Sequence, residues 1–404
     1  MRKVLFVHNG PLHRGSDGQM FGIHYTDAVK ERYLILGDHV TFLMREERIA
    51  NSIEEFSPIS PLNFNFIAVP DILSPVNRIR NHDCAIRIIR NAVAEVDIVV
   101  ARIPSLIARL AVQTARKLRK PYMVECVACN WDALWNHGWK GKLSAPWYVL
   151  KQKEILSQSP YVVYVTEKFL QRRYPTQGRQ VAISNVDLPH TDGGVLERRL
   201  QRIQSTSTKS EPIKLITVAD VAVRYKGQGD IISMLPRLAA AGIQIEYHLV
   251  GGGDPARLQL QARRSAVGSR VVFHGVLRHE QVFGLLDKMD IYVQPSRQEG
   301  LPRAVIEAMS RGLPVIGANT GGIPELLKPD RIFRAGDGKD FLACLRGILP
   351  FEAQAADARR NFFRAQDFRK QTLLNKRQAF YAAFLKENGL EEGSTSDVAN
   401  ETEF

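Results

Sequence analysis

Short apolar runs rich in β-branched residues punctuate the chain, and longer stretches with helical apolar spacing separate them. Lys3–Val7, His39–Met44, Asp97–Ala101, Tyr122–Glu125 and Tyr161–Val165 read as strands, with Arg78–Ala94 and Ser105–Arg119 as helices between them. Helix-length connections imply parallel pairing, with helices on both faces of the sheet. The rhythm breaks over 190–212, HTDGGVLERRLQRIQSTSTKSEP, a polar and Ser/Thr-rich stretch that reads as a linker. It restarts with Ile213–Val218, Glu246–Val250, Val271–Phe273, Ile291–Gln294 and Pro314–Gly317. The pattern predicts an α/β chain of two doubly wound domains, split near residue 200. Residues 351–386 read as helical, and the acidic, small-residue-rich tail from Asn388 reads as disordered.

The length of 404 residues supports this division, because single cores stop growing near ~250–300 residues. A net charge of +13 suits anionic partners such as phosphorylated substrates or anionic lipid, and equally serves plain solubility. The basic residues are spread along the chain and no nucleic-acid-binding module is present, so no nucleic acid is expected. Four cysteines are few for a disulfide scaffold and point to a reducing compartment. Cys126 and Cys129 form a CxxC without a second ligand pair, so no metal site is expected there. The opening MRKVLFVHNG has too short an apolar run for a signal peptide and reads as a buried strand. No stretch approaches the ~20 apolar residues of a membrane-spanning helix. A cytoplasmic protein is expected, with a possible place at the inner face of the membrane.

The most informative stretch is 291–327, IYVQPSRQEGLPRAVIEAMSRGLPVIGANTGGIPELL. An apolar strand leads through a polar turn to Gly300-Leu301-Pro302 and then to a helix. Proline is tolerated at a helix start, and the free N–H groups there, aided by the helix dipole, can receive a phosphate. Glu299, just ahead of the helix, can reach past that phosphate toward a sugar. Glu307, about two turns along, can accept from paired ribose hydroxyls. Read singly, each would be a solvated glutamate on an amphipathic helix.

EGLPRAVIE at 299–307 resembles the glutamate, seven residues, glutamate motif of family 4 retaining glycosyltransferases. GLPVIGANTGGIPELL, HLVGGGD at 248–254 and VVFHGVLRHEQV at 271–282 are similar to the same family. The resemblance covers the C-terminal domain. It implies the GT-B fold, two Rossmann-like domains facing across a cleft, with retention of anomeric configuration and no metal or other cofactor. The implied domains are 1–200 on the acceptor side and 201–365 for the nucleotide sugar. A helix at 366–387 would pack back on the first domain, with 388–404 as tail.

The resemblance assigns Glu299 to the donor sugar, Glu307 to the ribose, and Gly251 and Gly252 to a turn where backbone approaches the nucleotide. It places Val276 and Leu277 at the base, and Lys226 at the leaving diphosphate. Asp220 stands where the family has an arginine or a small residue, and Arg224 is the shifted candidate for that charge. Gly15 and Gly18 match a glycine-rich loop near the diphosphate, although the GxGxxG spacing is absent. Val127 stands where many members carry a histidine, which leaves Asp17, Asp132 and His137 as acceptor-side candidates.

The segment 131–156 and YVVYVTEKFLQRRYPTQG at 161–178 look similar to bacterial members acting in surface-polysaccharide assembly. Tryptophans and lysines interleave there: Trp131, Trp135, Trp139 and Trp147 with Lys140, Lys142, Lys151 and Lys153. They suit an anionic membrane interface, sugar stacking or a buried core. The expected partners are a nucleotide-sugar donor, a glycan or lipid-linked saccharide acceptor and a peripheral membrane contact. The rival readings are a catalytically silent nucleotide-sugar-binding subunit and a nucleotide-sugar epimerase on the same fold.

Overall fold

The computed structural model describes residues 1–23, 25–48, 56–136, 138–189, 194–207 and 211–391. Along the chain, β1 (Lys3–Arg14) turns into β2 (Met20–Gly22) and α1 (Asp27–Leu34). Next come β3 (His39–Arg48), β4 (Ser57–Pro58), β5 (Phe64–Ala68), α2 (Pro75–Ala94), β6 (Ile98–Ile103), α3 (Leu106–Lys117) and β7 (Tyr122–Cys126). Helices α4 (Asn130–Trp135) and α5 (Gly138–Ser157) precede β8 (Tyr161–Tyr164), α6 (Phe169–Arg173), β9 (Arg179–Ala182) and α7 (Gly194–Ser207). The alternation continues with β10 (Ile213–Val218), α8 (Gln228–Ala240), β11 (Ile245–Val250), α9 (Ala256–Arg264), β12 (Val271–Phe273) and α10 (His279–Leu286). It goes on through β13 (Ile291–Gln294), α11 (Arg303–Ser310), β14 (Val315–Ala318), α12 (Ile323–Leu326) and β15 (Ile332–Phe333). The described residues end with α13 (Gly338–Ile348), α14 (Phe351–Ala365) and α15 (Lys370–Glu387).

The first sheet runs β4-β2-β1-β6-β7-β8-β9, with β3 on β1 and β5 on β3; the second runs β12-β11-β10-β13-β14-β15. β1 pairs in parallel with β3 and β6, and every pairing in the second sheet is parallel. Helix starts follow the expected chemistry: Ser74 accepts from Asn77 N (3.1 Å) and Ser105 from Ala108 N (3.0 Å).

Two compact units arise. The first comprises 1–125, 159–162 and 374–404; the second comprises 126–158 and 163–373. In the first, Tyr33 stacks on Phe6 at 4.9 Å, and an ionic group lies in the interior. Arg102 Nε donates to Glu125 Oε2 (2.8 Å), and Tyr33 OH donates to Glu125 Oε1 (3.0 Å). Helix α15 completes this core. Its Tyr381 and Phe384 are fully buried, and Phe380 and Phe384 pack edge-on to Tyr161.

The second unit buries the apolar faces of α8, α9 and α13 against β10, β11 and β13. Residues 194–207, within the stretch read as a linker, form helix α7 instead; 190–193 and 208–210 lie outside the described residues. Its inward stripe is Val195, Arg199 and Ile203, so one core position is an arginine and the apolar period is masked. Arg199 is tolerated there because its donors are satisfied by backbone carbonyls: Met289 O (2.6 Å), Leu286 O (2.8 Å) and Arg311 O (3.2 Å).

Another expectation changes in the first unit. β1, read as Lys3–Val7, runs on to Arg14 and pairs antiparallel with β2, so the glycine-rich loop Gly15–Gly18 is the exposed tip of a hairpin. Gly15 N donates to Gln19 O (2.9 Å), and Asp17 Oδ1 accepts from Gln19 N (3.0 Å). The tail expected to be disordered lies outside the described residues from 392 onward.

Candidate active site

In the second unit, the turns following the parallel strands gather at the carboxyl edge of the sheet. Backbone bonds tie them together: Val221 N to Gly252 O (2.9 Å), Gly251 N to Gly275 O (2.9 Å), Arg297 N to Tyr225 O (2.7 Å) and Gly322 N to Gly300 O (2.6 Å). Two glycines permit this approach. Gly251 has φ +146°, and a Cβ there would lie 2.2 Å from Ala219 O; a Cβ on Gly300 would lie 2.3 Å from Val127 O.

Glu299 emerges from the β13 turn with its carboxylate largely buried. Lys226 Nζ donates to its Oε1 at 2.7 Å, and Gln294 Nε2 donates to the same oxygen at 2.9 Å. Gln294 is itself oriented, since Tyr292 OH donates to its Oε1 (2.6 Å). A charge this far from water is held in one geometry by charge-assisted bonds. Glu307 stands on α11, whose N-cap is Pro302, with His279 Nε2 3.5 Å from its carboxylate. The hydrogen bond to Glu307 raises the His279 imidazole above its ordinary value against the effect of burial.

Lys226 and Glu299 are thus brought into direct contact, and Gly300, Leu301 and Pro302 continue from them into α11. Arg224 shares the short 3-10 turn of Lys226 and is exposed. Gly251 and Gly252 adjoin Val276, whose Cγ2 lies 3.3 Å from where a Gly252 Cβ would stand; Val276 is exposed and Leu277 partly so. Asp132 lies on α4 and pairs with Arg173 at 3.4 Å; burial pushes its carboxyl up despite that arginine. The end of the same helix meets the β13 turn, because Asn136 Nδ2 donates to Arg297 O (3.4 Å). His137 lies outside the described residues. Gly15, Asp17 and Gly18 belong to the first unit.

Cys126 and Cys129 are buried and free, and burial pushes both thiols up, so each stays protonated. Among the described residues, no group of three or more His, Cys, Asp or Glu side chains is placed to hold a metal ion. Gln294 and His279, which orient the two glutamates, were not singled out by the sequence. The only available signal was a polar residue closing an otherwise apolar strand, and a histidine opening the α10 helix.

Residues 212–349 match the family model for group 1 glycosyl transferases. Protein CapJ of Staphylococcus aureus is 28% identical over 339 residues, 83% of this chain and 83% of that one. The amylovoran biosynthesis glycosyltransferase AmsK of Erwinia amylovora is 33% identical over 125 residues, 29% of this chain and 30% of its own length. The solved structure of HepE from Anabaena in complex with UDP and glucose superposes with a TM-score of 0.65 at 16% identity, covering 95% of this chain and 99% of that one. That likeness is one of fold, and the fold is GT-B. With a group 1 domain over 212–349 on this fold, the chain is a glycosyltransferase.

Proposed function

We propose that the enzyme moves a hexose or N-acetylhexosamine from a nucleoside-diphosphate sugar to a glycan or lipid-linked saccharide, with retention and without a metal. The observation that carries this is Glu299, fixed at the carboxyl edge of β13 by Lys226 and Gln294. Both bonds go to Oε1, so Oε2 serves the donor sugar. Lys226 beside it offsets the charge that develops on the leaving diphosphate. The new glycosidic bond forms on the face from which the diphosphate departs. A diphosphate oxygen takes the acceptor's proton, so no strong protein base is required. Glu307 holds the ribose hydroxyls.

Titration of the full chain with UDP and GDP, with and without chelator, tests the donor part. Equal binding in chelator is expected, and loss of binding there would remove the metal-free element. In the same titration Glu307→Ala should weaken the nucleotide by about 1–3 kcal/mol, the usual cost of an unmade buried hydrogen bond. Wild-type affinity in that variant would overturn the ribose assignment. Donor hydrolysis and transfer assays separate the transferase from a silent binding subunit and from an epimerase, which would convert the donor without any acceptor.

The acceptor is proposed to be lipid-linked and reached at an anionic membrane surface. Support comes from α5, where Trp139 (68% exposed), Leu143 (74%), Trp147 (45%) and Leu150 (64%) recur on one helical face. None of the chain's four tryptophans is buried, so the core reading of this segment does not hold. Lys142 and Lys151 flank the stripe, with Lys142 Nζ 5.2 Å over the Trp135 ring. Among the described residues no helix is long and apolar enough to cross a membrane, so any contact through α5 is interfacial. The AmsK likeness supports a polysaccharide context. Salt-sensitive co-sedimentation with anionic but not neutral vesicles is expected, reduced when Lys140, Lys142, Lys151 and Lys153 become Gln. Full activity on a soluble acceptor without any vesicle binding would remove the membrane from the proposal.

A further inference from the structure

Helix α15 carries two polar side chains into the interior of the first unit that find no partner there. Arg377 is 7% exposed, and among the described residues it makes neither a hydrogen bond nor an ion pair. One turn further along, Tyr381 is 0% exposed, and its hydroxyl has no hydrogen-bond partner among the described residues. The i, i+4 spacing puts both on one face of the helix. That face closes over Arg102 and Glu125, the next-to-last residues of β6 and β7. A guanidinium offers donors and no acceptor, and a phenol O–H beside it also has a proton to give, so an acceptor suits both.

The carboxylate at hand is already engaged. Glu125 Oε2 accepts from Arg102 Nε (2.8 Å), and its Oε1 accepts from Tyr33 OH (3.0 Å). Arg32 adds another guanidinium from α1, lowered first by burial and next by Arg377. Burial pushes the Tyr381 hydroxyl up, and the charges that act on it after burial are Glu125, Arg377, Arg32 and Arg102. Three cations thus stand against one carboxylate. Cations in an interior are ordinarily matched by anions, because an unmatched one has lost its water without compensation. A water molecule would satisfy the phenol and leave the excess charge in place. A tetrahedral oxyanion does both: it accepts from a guanidinium fork and a hydroxyl together, and it offsets the charge. The carboxyl ends of parallel strands are also where sheets of this kind take their ligands.

We propose that Arg377 and Tyr381, with Arg32 beside them, bind a phosphate group within the first unit, at the carboxyl ends of β6 and β7. Two sources share that chemistry: a free phosphate ion, and the phosphate of a lipid-linked acceptor. Only the second rests on the proposed acceptor. Full-length wild type, Arg377→Gln and Tyr381→Phe are titrated calorimetrically with inorganic phosphate and with geranyl diphosphate, a short prenyl diphosphate. The three proteins are also melted at fixed ionic strength with and without phosphate. Arg377→Gln should weaken phosphate about ten- to a hundredfold, the ordinary worth of hydrogen bonds to a charged group, and Tyr381→Phe about three- to tenfold. Phosphate should raise the wild-type melting midpoint more than that of either variant; stabilisation by excluded salt is common to all three and cancels. Without phosphate, Tyr381→Phe should melt at or above wild type, because it removes a buried hydroxyl that has no partner. A lower midpoint there would show that the hydroxyl is bonded within the fold and would overturn the site. So would equal phosphate affinity in all three proteins, or binding of neither probe to wild type. Arg377-dependent binding of geranyl diphosphate, tighter than that of inorganic phosphate, assigns the site to the acceptor. Arg377-dependent binding of inorganic phosphate alone keeps the site and removes the acceptor from it.

Discussion

Glu299→Gln should lower turnover by about 10²–10³-fold while leaving the affinity for nucleoside diphosphate within a few-fold of wild type. The substitution keeps size and one acceptor oxygen but removes the charge that Lys226 and Gln294 hold in place. Both neighbours donate to Oε1, so the amide oxygen can keep that place, and the NH2 then stands where Oε2 would accept from the donor sugar. In the proposed site the nucleotide is held by the α11 start and Glu307 rather than by Glu299, so binding should survive. Steady-state rates with a donor that the wild type uses, together with a UDP or GDP titration, separate the two effects. Unchanged turnover, or a change confined to KM, would mean that Glu299 is a structural partner of Lys226 and nothing more.

Glu125→Ala should cost about 3–5 kcal/mol of stability in the first unit, because it strands Arg102 in the interior without its carboxylate. Arg377 and Arg32 lie near enough to act on the same carboxylate, so the stranded charge is not a single one. Burial alone would push the Glu125 carboxyl up, but Arg102, Arg377 and Arg32 hold it below its ordinary value. A depressed carboxyl stabilises the folded state above the unfolded value of 4.5, and that contribution is lost as pH falls through the folded value. The variant should therefore show a lower melting midpoint at neutral pH and a flatter acid limb than wild type. All four tryptophans lie in the second unit, so calorimetry rather than tryptophan emission is the suitable probe. A midpoint within about 1 °C of wild type would show that the arginines find other partners.

Much of the fold was legible because strands such as Ile213–Val218 and Ile291–Gln294 are short, apolar and bounded by turn residues. Their observed limits match the reading. Glu299 and Lys226 were legible through their motifs, and the structure brings them into contact. What escaped reading escaped for physical reasons. Helix α7 was hidden because Arg199 occupies a core position and is satisfied by carbonyls that lie 87 to 112 residues away in sequence. The Gly15–Gly18 hairpin was hidden because the second half of β1, HNGPLHR, carries a glycine and a proline that mask its extended run. Strand β5 alternates only over five residues, too few to stand out.

The first unit begins with β1, yet it is finished by α15, the last helix among the described residues, whose Tyr381 and Phe384 fill its interior. On a ribosome this inverts the usual order in which amino-terminal domains fold first. The segments 126–158 and 163–373 are complete once residue 373 has emerged, whereas Phe6, Tyr33 and Arg102 must wait for α15 with part of their cover missing. A nascent chain stalled with residue 373 just clear of the ribosome and α15 still inside it should accordingly expose 1–125 to protease and to chaperones, and release of α15 should end that exposure.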